Sequence, residues 1–118
     1  MRTSSIKLNS ILKNQIAKTF EQLIIDIKTP EEARVFFSDF FNDKEYETYT
    51  KRLAVAYWLK KGRSYANIKQ NLKVSSATIA SVEKLMAKPG FKLALKKIEA
   101  EEWANVWAEK IKKFTKKI

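Results

Sequence analysis

At 118 residues the chain is the size of one domain, able to bury about two-thirds of its unfolded surface, and it carries 24 Lys and Arg against 13 Asp and Glu, a net charge of +11. It has no cysteine and no histidine, which excludes disulfides, thiolate metal sites and the side chain that most often serves as general base or metal ligand. Two glycines (Gly62, Gly90) and two prolines (Pro30, Pro89) are too few breaks for a β-rich chain, so the expected class is all-α.

No apolar run approaches the roughly 20 residues of a membrane span, and charges at Arg2, Lys7, Lys13, Lys18, Glu21 and Asp26 interrupt any signal-peptide core. A cytoplasmic protein without a membrane partner is expected. The charge is unevenly spread: residues 1–50 have a net charge of −1, residues 51–88 of +8 and residues 89–118 of +4. In the middle window Glu83 is the lone acid. A general lysine-rich surface would not spare the first fifty residues, so this concentration reads as a polyanion footprint.

Six helices are predicted. The first runs from about Ser5 to Asp26, with Leu8, Leu12, Ile16, Phe20, Leu23 and Ile27 on one stripe. Thr29-Pro30-Glu31-Glu32 starts the second, which carries Val35, Phe36, Phe37, Phe40 and Phe41 and ends near Phe41. There Thr29 caps, Pro30 occupies the first helical position and Glu32 completes a capping box. Asn42 and Glu45 open a third helix reaching about Lys61, where Gly62 stops it by taking the left-handed conformation cheaply. Its stripe includes Tyr46, Tyr49, Leu53, Ala56, Tyr57 and Leu59. Two short helices follow near 65–72 and 76–87. Pro89-Gly90 is the next break, and the last helix, from about Phe91 to Lys117, aligns Phe91, Leu95, Ile98, Trp103, Trp107, Ile111, Phe114 and Ile118.

These elements suggest a helical dimerisation core over 1–88 and a C-terminal amphipathic helix of the same domain over 89–118. The long first and last helices have few neighbours in so short a chain, and an uncovered stripe of that length is an exposed apolar patch. A homodimer buries both economically, although packing within one chain is the alternative.

The stretch from Ser64 to Val82 has the internal logic of a helix-turn-helix. Ser64 caps the first short helix and Ser75 the second, while Ile68, Leu72, Val74, Ile79 and Val82 fall where the helices meet each other and the body. Between those anchors the second helix shows Ser76, Ala77, Thr78, Ala80 and Ser81. Small residues at a helix N-terminus let the backbone enter a major groove, and Ala or Thr methyls can meet a thymine methyl.

The sequence resembles the Trp repressor family, and more closely its Trp repressor-related YerC/YecD-type branch, over about Asp26 to Met86. The resemblance is carried by Asp26-Ile27-Lys28-Thr29-Pro30-Glu31-Glu32-Ala33-Arg34 with Phe36-Phe37, by Arg52-Leu53-Ala54-Val55-Ala56, by Gly62-Arg63-Ser64-Tyr65 and by Ser75-Ser76-Ala77-Thr78-Ile79. It implies six helices, an intertwined homodimer and two helix-turn-helix heads one DNA turn apart. It also implies a DNA-facing set of Lys69, Ser76, Ala77, Thr78 and Ala80, to which Arg63 and Lys73 are added as basic neighbours. Lys69 suits a phosphate better than a base, because lysine is a flexible point charge. Of the family's two tryptophan-clamping arginines, the first matches Arg52, a candidate ligand contact. The second matches Ser81, and the glycine beside it matches Val82. Serine cannot supply a bidentate cation for a carboxylate, so a member without a tryptophan corepressor, and with no other cofactor, is expected. Lys73 stands where most helix-turn-helix motifs place glycine. Positive φ costs a lysine roughly 1 kcal/mol, which leaves either an altered turn or a phosphate contact.

Other functions fit less well. The carboxylate pairs Glu31-Glu32 and Glu101-Glu102 are adjacent in sequence, so a helix points each pair about 100° apart. The first suits a helix start and the second a solvated face. With no glycine-rich phosphate loop, an enzyme is not expected. A membrane-surface helix would use Trp103 and Trp107 with the lysines around them, but the same residues suit a dimer core with a solvated rim. RNA modules expose aromatics for stacking, whereas most aromatics here, Tyr65 excepted, lie on apolar stripes. A protein adaptor would not need the +8 window. The expected function is a sequence-specific, double-stranded-DNA-binding transcription regulator, with a non-specific nucleic-acid-binding or adaptor module as the alternative.

Overall fold

Local capping chemistry fixes nearly every helix start. The computed structural model describes residues 6–116, with side chains through Glu102. Among the described residues it contains six helices and no strand: α1 (Ser10–Asp26), α2 (Pro30–Phe40), α3 (Asp43–Lys60), α4 (Tyr65–Leu72), α5 (Ser76–Leu85) and α6 (Pro89–Lys116). The all-α class and the helix number agree with the sequence reading.

The expected caps form at four starts. Thr29 accepts from the Glu32 amide at 3.1 Å, Asn42 from the Glu45 amide at 2.8 Å, Ser64 from the Asn67 amide at 3.1 Å and Ser75 from the Thr78 amide at 3.1 Å. Glu45 returns the bond by accepting from the Asn42 amide, the reciprocal capping box. Glu32 instead reaches one residue further back, accepting from the Lys28 amide at 3.2 Å.

Three boundaries differ from expectation. α1 begins at Ser10 and not near Ser5, because the Asn9 side chain accepts from the Ile11 and Leu12 amides and takes the cap itself. α5 closes two residues early, at Leu85, where the Met86 amide bonds the Val82 and Glu83 carbonyls. α6 starts at Pro89, not Phe91. A proline in the first turn loses no helical hydrogen bond, so Pro89-Gly90 opens the helix and the break precedes it.

The chain divides into two compact units, Met1–Tyr46 and Glu47–Ile118. In the first, aromatic contacts tie α1 to α2 and run along α2: Phe20 to Phe40 at 5.6 Å between ring centres, Phe36 stacked on Phe40 at 4.9 Å, and Phe37 to Tyr46 at 6.3 Å. No residue of α1 or α2 is buried. The α1 stripe stays exposed instead, Leu12 by 45%, Ile16 by 53% and Leu23 by 43%.

The second unit holds the core. Val55 and Ala56 of α3, Ile68 of α4, Ile79 and Val82 of α5 and Leu95 of α6 are buried together, with Trp58, Tyr65, Leu72, Val74 and Phe91 packed around them. Trp103, Trp107, Ile111, Phe114 and Ile118, the rest of the expected α6 stripe, have side chains outside the described residues.

α3 ends in a Schellman motif. The Gly62 amide donates to the Leu59 carbonyl at 3.0 Å and the Arg63 amide to the Trp58 carbonyl at 3.1 Å, with Gly62 at φ +83°. A side chain at Gly62 would meet no neighbour within 4 Å, so its cost is conformational alone. Gly62→Ala is therefore expected to lower the unfolding free energy by about 1 kcal/mol in urea titration. Gly90 is equally unobstructed but carries no positive φ. Gly90→Ala is expected to be neutral or to stabilise by up to about 1 kcal/mol.

Candidate nucleic-acid interface

The two short helices are too short to persist in isolation. Ile68 fastens α4 to the core, Ile79 and Val82 fasten α5, and all three are buried. Their shared turn is made by Lys73, which sits in the left-handed region at φ 55° and ψ 51° and donates its amide to the Lys69 carbonyl. Ser75 then caps α5, its hydroxyl also 3.0 Å from the Thr78 hydroxyl. Lys73 thus takes the left-handed conformation that glycine would adopt without cost.

A second fastening comes from Tyr65. Partial burial, then the charge of Glu83 and a hydrogen bond to it, hold the Tyr65 phenol above its ordinary pKa. The neutral hydroxyl therefore donates to Glu83 across α4 and α5. Because the folded value is the higher one, this contact is complete below the ordinary tyrosine value of about pH 10 and fades as pH rises through the higher folded value.

With the apolar side turned inward, the outer face is open. Lys69, Lys73, Ser76, Ala77 and Thr78 are exposed and Ala80 is half-buried, nearer the core than the others. Ser81 is exposed beside them. Among the described residues no ion pair joins Lys69 or Lys73 to a carboxylate.

Other cations of the +8 window are engaged. Lys60 pairs with Glu99 at 3.0 Å and Lys61 with Glu102 at 3.3 Å, joining the end of α3 to α6. Glu102 is thus an ion-pair partner and not part of a purely solvated face. Arg63 lies over the Trp58 ring, its guanidinium carbon 4.2 Å from the ring centre, and donates to the Asn67 side chain at 3.3 Å. Sequence reasoning missed these contacts. The ion pairs join residues some forty positions apart, which no local pattern records. The Arg63–Trp58 stack joins the two positions a Schellman motif brings together, and that spacing could have revealed it.

Arg52 stands apart from this face. Its guanidinium lies 5.6 Å from the Tyr49 ring centre, and it lines a shallow apolar cleft of about 310 Å³ with Tyr49, Leu53, Gly90, Phe91 and Ala94. Of the two residues the sequence reading matched to the rest of the clamp, Ser81 is exposed and Val82 is a core side chain exposed by only 3%. Among the described residues no cluster of acidic side chains could hold a metal, and no helix is long and apolar enough to cross a membrane.

The family model of the Trp repressor protein matches residues 15–99. The chain belongs to the Trp repressor family. It is also similar to YerC of Bacillus subtilis (strain 168), an uncharacterized protein, with 30% identity over 90 residues that cover 72% of this chain and 86% of YerC. The Trp repressor match takes in α2 to α5 and most of α1, so the helix-turn-helix and the core beneath it lie inside the family's shared region.

Lys73 is the one non-glycine residue at positive φ among the described residues. Relief of that conformation outweighs the added freedom of glycine in the unfolded chain. Lys73→Gly is expected to raise the unfolding free energy by up to about 1 kcal/mol, measured by urea titration. A loss of stability would show that the lysine side chain contributes to the fold.

Proposed function

We propose that this protein is a sequence-specific, DNA-binding transcription regulator that acts in the cytoplasm as a homodimer, without tryptophan as corepressor and without enzymatic activity. The observation that carries this reading is the outer face of the helix-turn-helix. Small and hydroxylated residues stand at the start of α5, cations flank them on α4 and the turn, and no acidic residue occurs from Lys51 to Val82. Ser76, Ala77, Thr78 and Ala80 are suited to base edges in a major groove, and Lys69, Lys73 and Arg63 to phosphates. Membership of a repressor family supports the regulatory role.

Arg52 alone cannot make the two-sided clamp that the family's corepressor requires, because Ser81 offers no charge and Val82 fills the interior where the family has glycine. The residues present do not fit tryptophan. The dimer reading rests on α1 and α2, where Ile11, Leu12, Ile16, Phe20, Leu23, Val35 and Phe40 are each at least 40% exposed. So many exposed apolar side chains on a chain with this net charge call for a partner, and a second copy is the economical one.

Fluorescence-anisotropy titration of genomic duplex fragments across a salt series tests the DNA reading. Affinity should fall steeply with salt, by about 0.9 in log-log slope for each phosphate contacted, while some fragments remain bound at physiological salt. Lys69→Ala should weaken all duplexes about equally, and Thr78→Ala should change which are preferred. Salt-sensitive binding without surviving fragments would reduce the protein to a non-specific binder. Absence of binding at low salt would leave the adaptor alternative.

Light scattering after gel filtration should give twice the chain mass of 13.7 kDa. Phe20→Asp should shift the population toward monomer, since a charge cannot be buried unpaired in an apolar contact. A wild-type mass of 13.7 kDa would overturn the dimer.

A further inference from the structure

Arg63 is a cation of the basic window whose side chain makes two neutral contacts. The Schellman turn bonds its amide to the Trp58 carbonyl, which brings Arg63 and Trp58 together at the end of α3. There the guanidinium lies 4.2 Å from the ring centre. Its edge donates to the Asn67 side-chain oxygen at 3.3 Å. The Asn67 backbone is held on both sides, its N–H donating to the Ser64 hydroxyl and its main-chain carbonyl accepting from the Asn71 side chain at 2.9 Å. Trp58 is half-buried and packs against the core, so the platform beneath the guanidinium is rigid. Arg63 nonetheless remains exposed, and among the described residues no ion pair joins it to a carboxylate.

We propose that Trp58 is a positioning residue for Arg63, holding its guanidinium in one plane as a preformed phosphate ligand at the edge of the helix-turn-helix. This role rests on the DNA-binding reading above and goes beyond it by separating the residue that meets phosphate from the one that aims it. A free arginine must lose much of its rotamer freedom on binding. One already stacked and hydrogen-bonded has lost part of that freedom on folding, and its exposed guanidinium keeps further N–H donors for a phosphate. Lysine could supply the charge but not the flat stack. That difference separates positioning from charge alone.

The test is anisotropy titration of a mixed-sequence duplex at several salt concentrations, since phosphate contacts do not depend on sequence. Arg63→Ala should weaken binding and lower the salt slope by about 0.9. Arg63→Lys and Trp58→Leu should leave the slope as in wild type yet raise Kd by roughly two- to fivefold, the worth of an exposed cation–π contact. Trp58→Phe, which keeps a ring, should retain most of the affinity. In the Arg63→Ala background, Trp58→Leu should cost nothing further. The Arg63 side-chain Nε–H resonance, shifted by the ring in wild type, should move toward its free position in Trp58→Leu. If Trp58→Leu does not fold, Arg63→Lys decides, because it leaves the core intact. Binding by Arg63→Lys equal to wild type overturns this role while leaving the DNA-binding reading in place. Wild-type protein that binds no duplex at low salt overturns both.

Discussion

The structure depends on burying a few branched side chains beneath two helices that cannot stand alone. α4 has 8 residues and α5 has 10, below the length at which an isolated helix persists in water. Ile68 and Ile79 supply the anchorage. Each is fully buried against Val55, Ala56 and Leu95, and each such burial is worth about 1.5–3 kcal/mol. Because the inner face does this work, the outer face carries no packing obligation. Ser76, Ala77 and Thr78 can therefore be small and polar without loss of stability, and small size is what a close approach to a groove demands.

Electrostatics follow the same division. α6 brings Glu99 and Glu102 to the end of α3, where they meet Lys60 and Lys61. These pairs are about half exposed, so each contributes at most about 1 kcal/mol. Their greater effect is on the distribution of charge. Carboxylates are spent at the junction of α3 and α6, while the α4–turn–α5 face keeps Lys69 and Lys73 without an ionic partner among the described residues. Glu83, the lone acid of the window, is turned to Tyr65. A polyanion approaching the helix-turn-helix meets cations first.

Most of this was legible from the sequence, for a physical reason. Helix starts and stops are local, so Thr29, Asn42, Ser64, Ser75 and Gly62 announce their roles within three or four residues. The inner anchors of the helix-turn-helix were legible too, because Ile68, Ile79 and Val82 must point inward once the two helices are placed. Asn9 and Pro89 were misjudged where two starts competed: an apolar stripe extending past Asn9 suggested an earlier beginning, and Pro89-Gly90 reads as a break although proline is at home in a first turn. Nothing local could show that Glu99 and Glu102 meet α3, since that contact exists only once α6 folds back. The α1 stripe was found at its expected spacing, but its exposure is a property of the folded chain that periodicity cannot express.

The proposed departure from the corepressor clamp has a consequence for packing. At the two positions concerned, Ser81 is exposed and Val82 is only 3% exposed. Adding an arginine at Ser81 would place a charge on the surface and disturb little. Restoring the neighbouring glycine would be another matter, because it removes a core side chain worth about 1.5–3 kcal/mol of burial and adds about 1 kcal/mol of helix propensity cost. That sum is a large share of the stability of a domain this size. The two positions therefore differ in cost: a cation at Ser81 is easily accommodated, whereas the interior valine is held in place by the core.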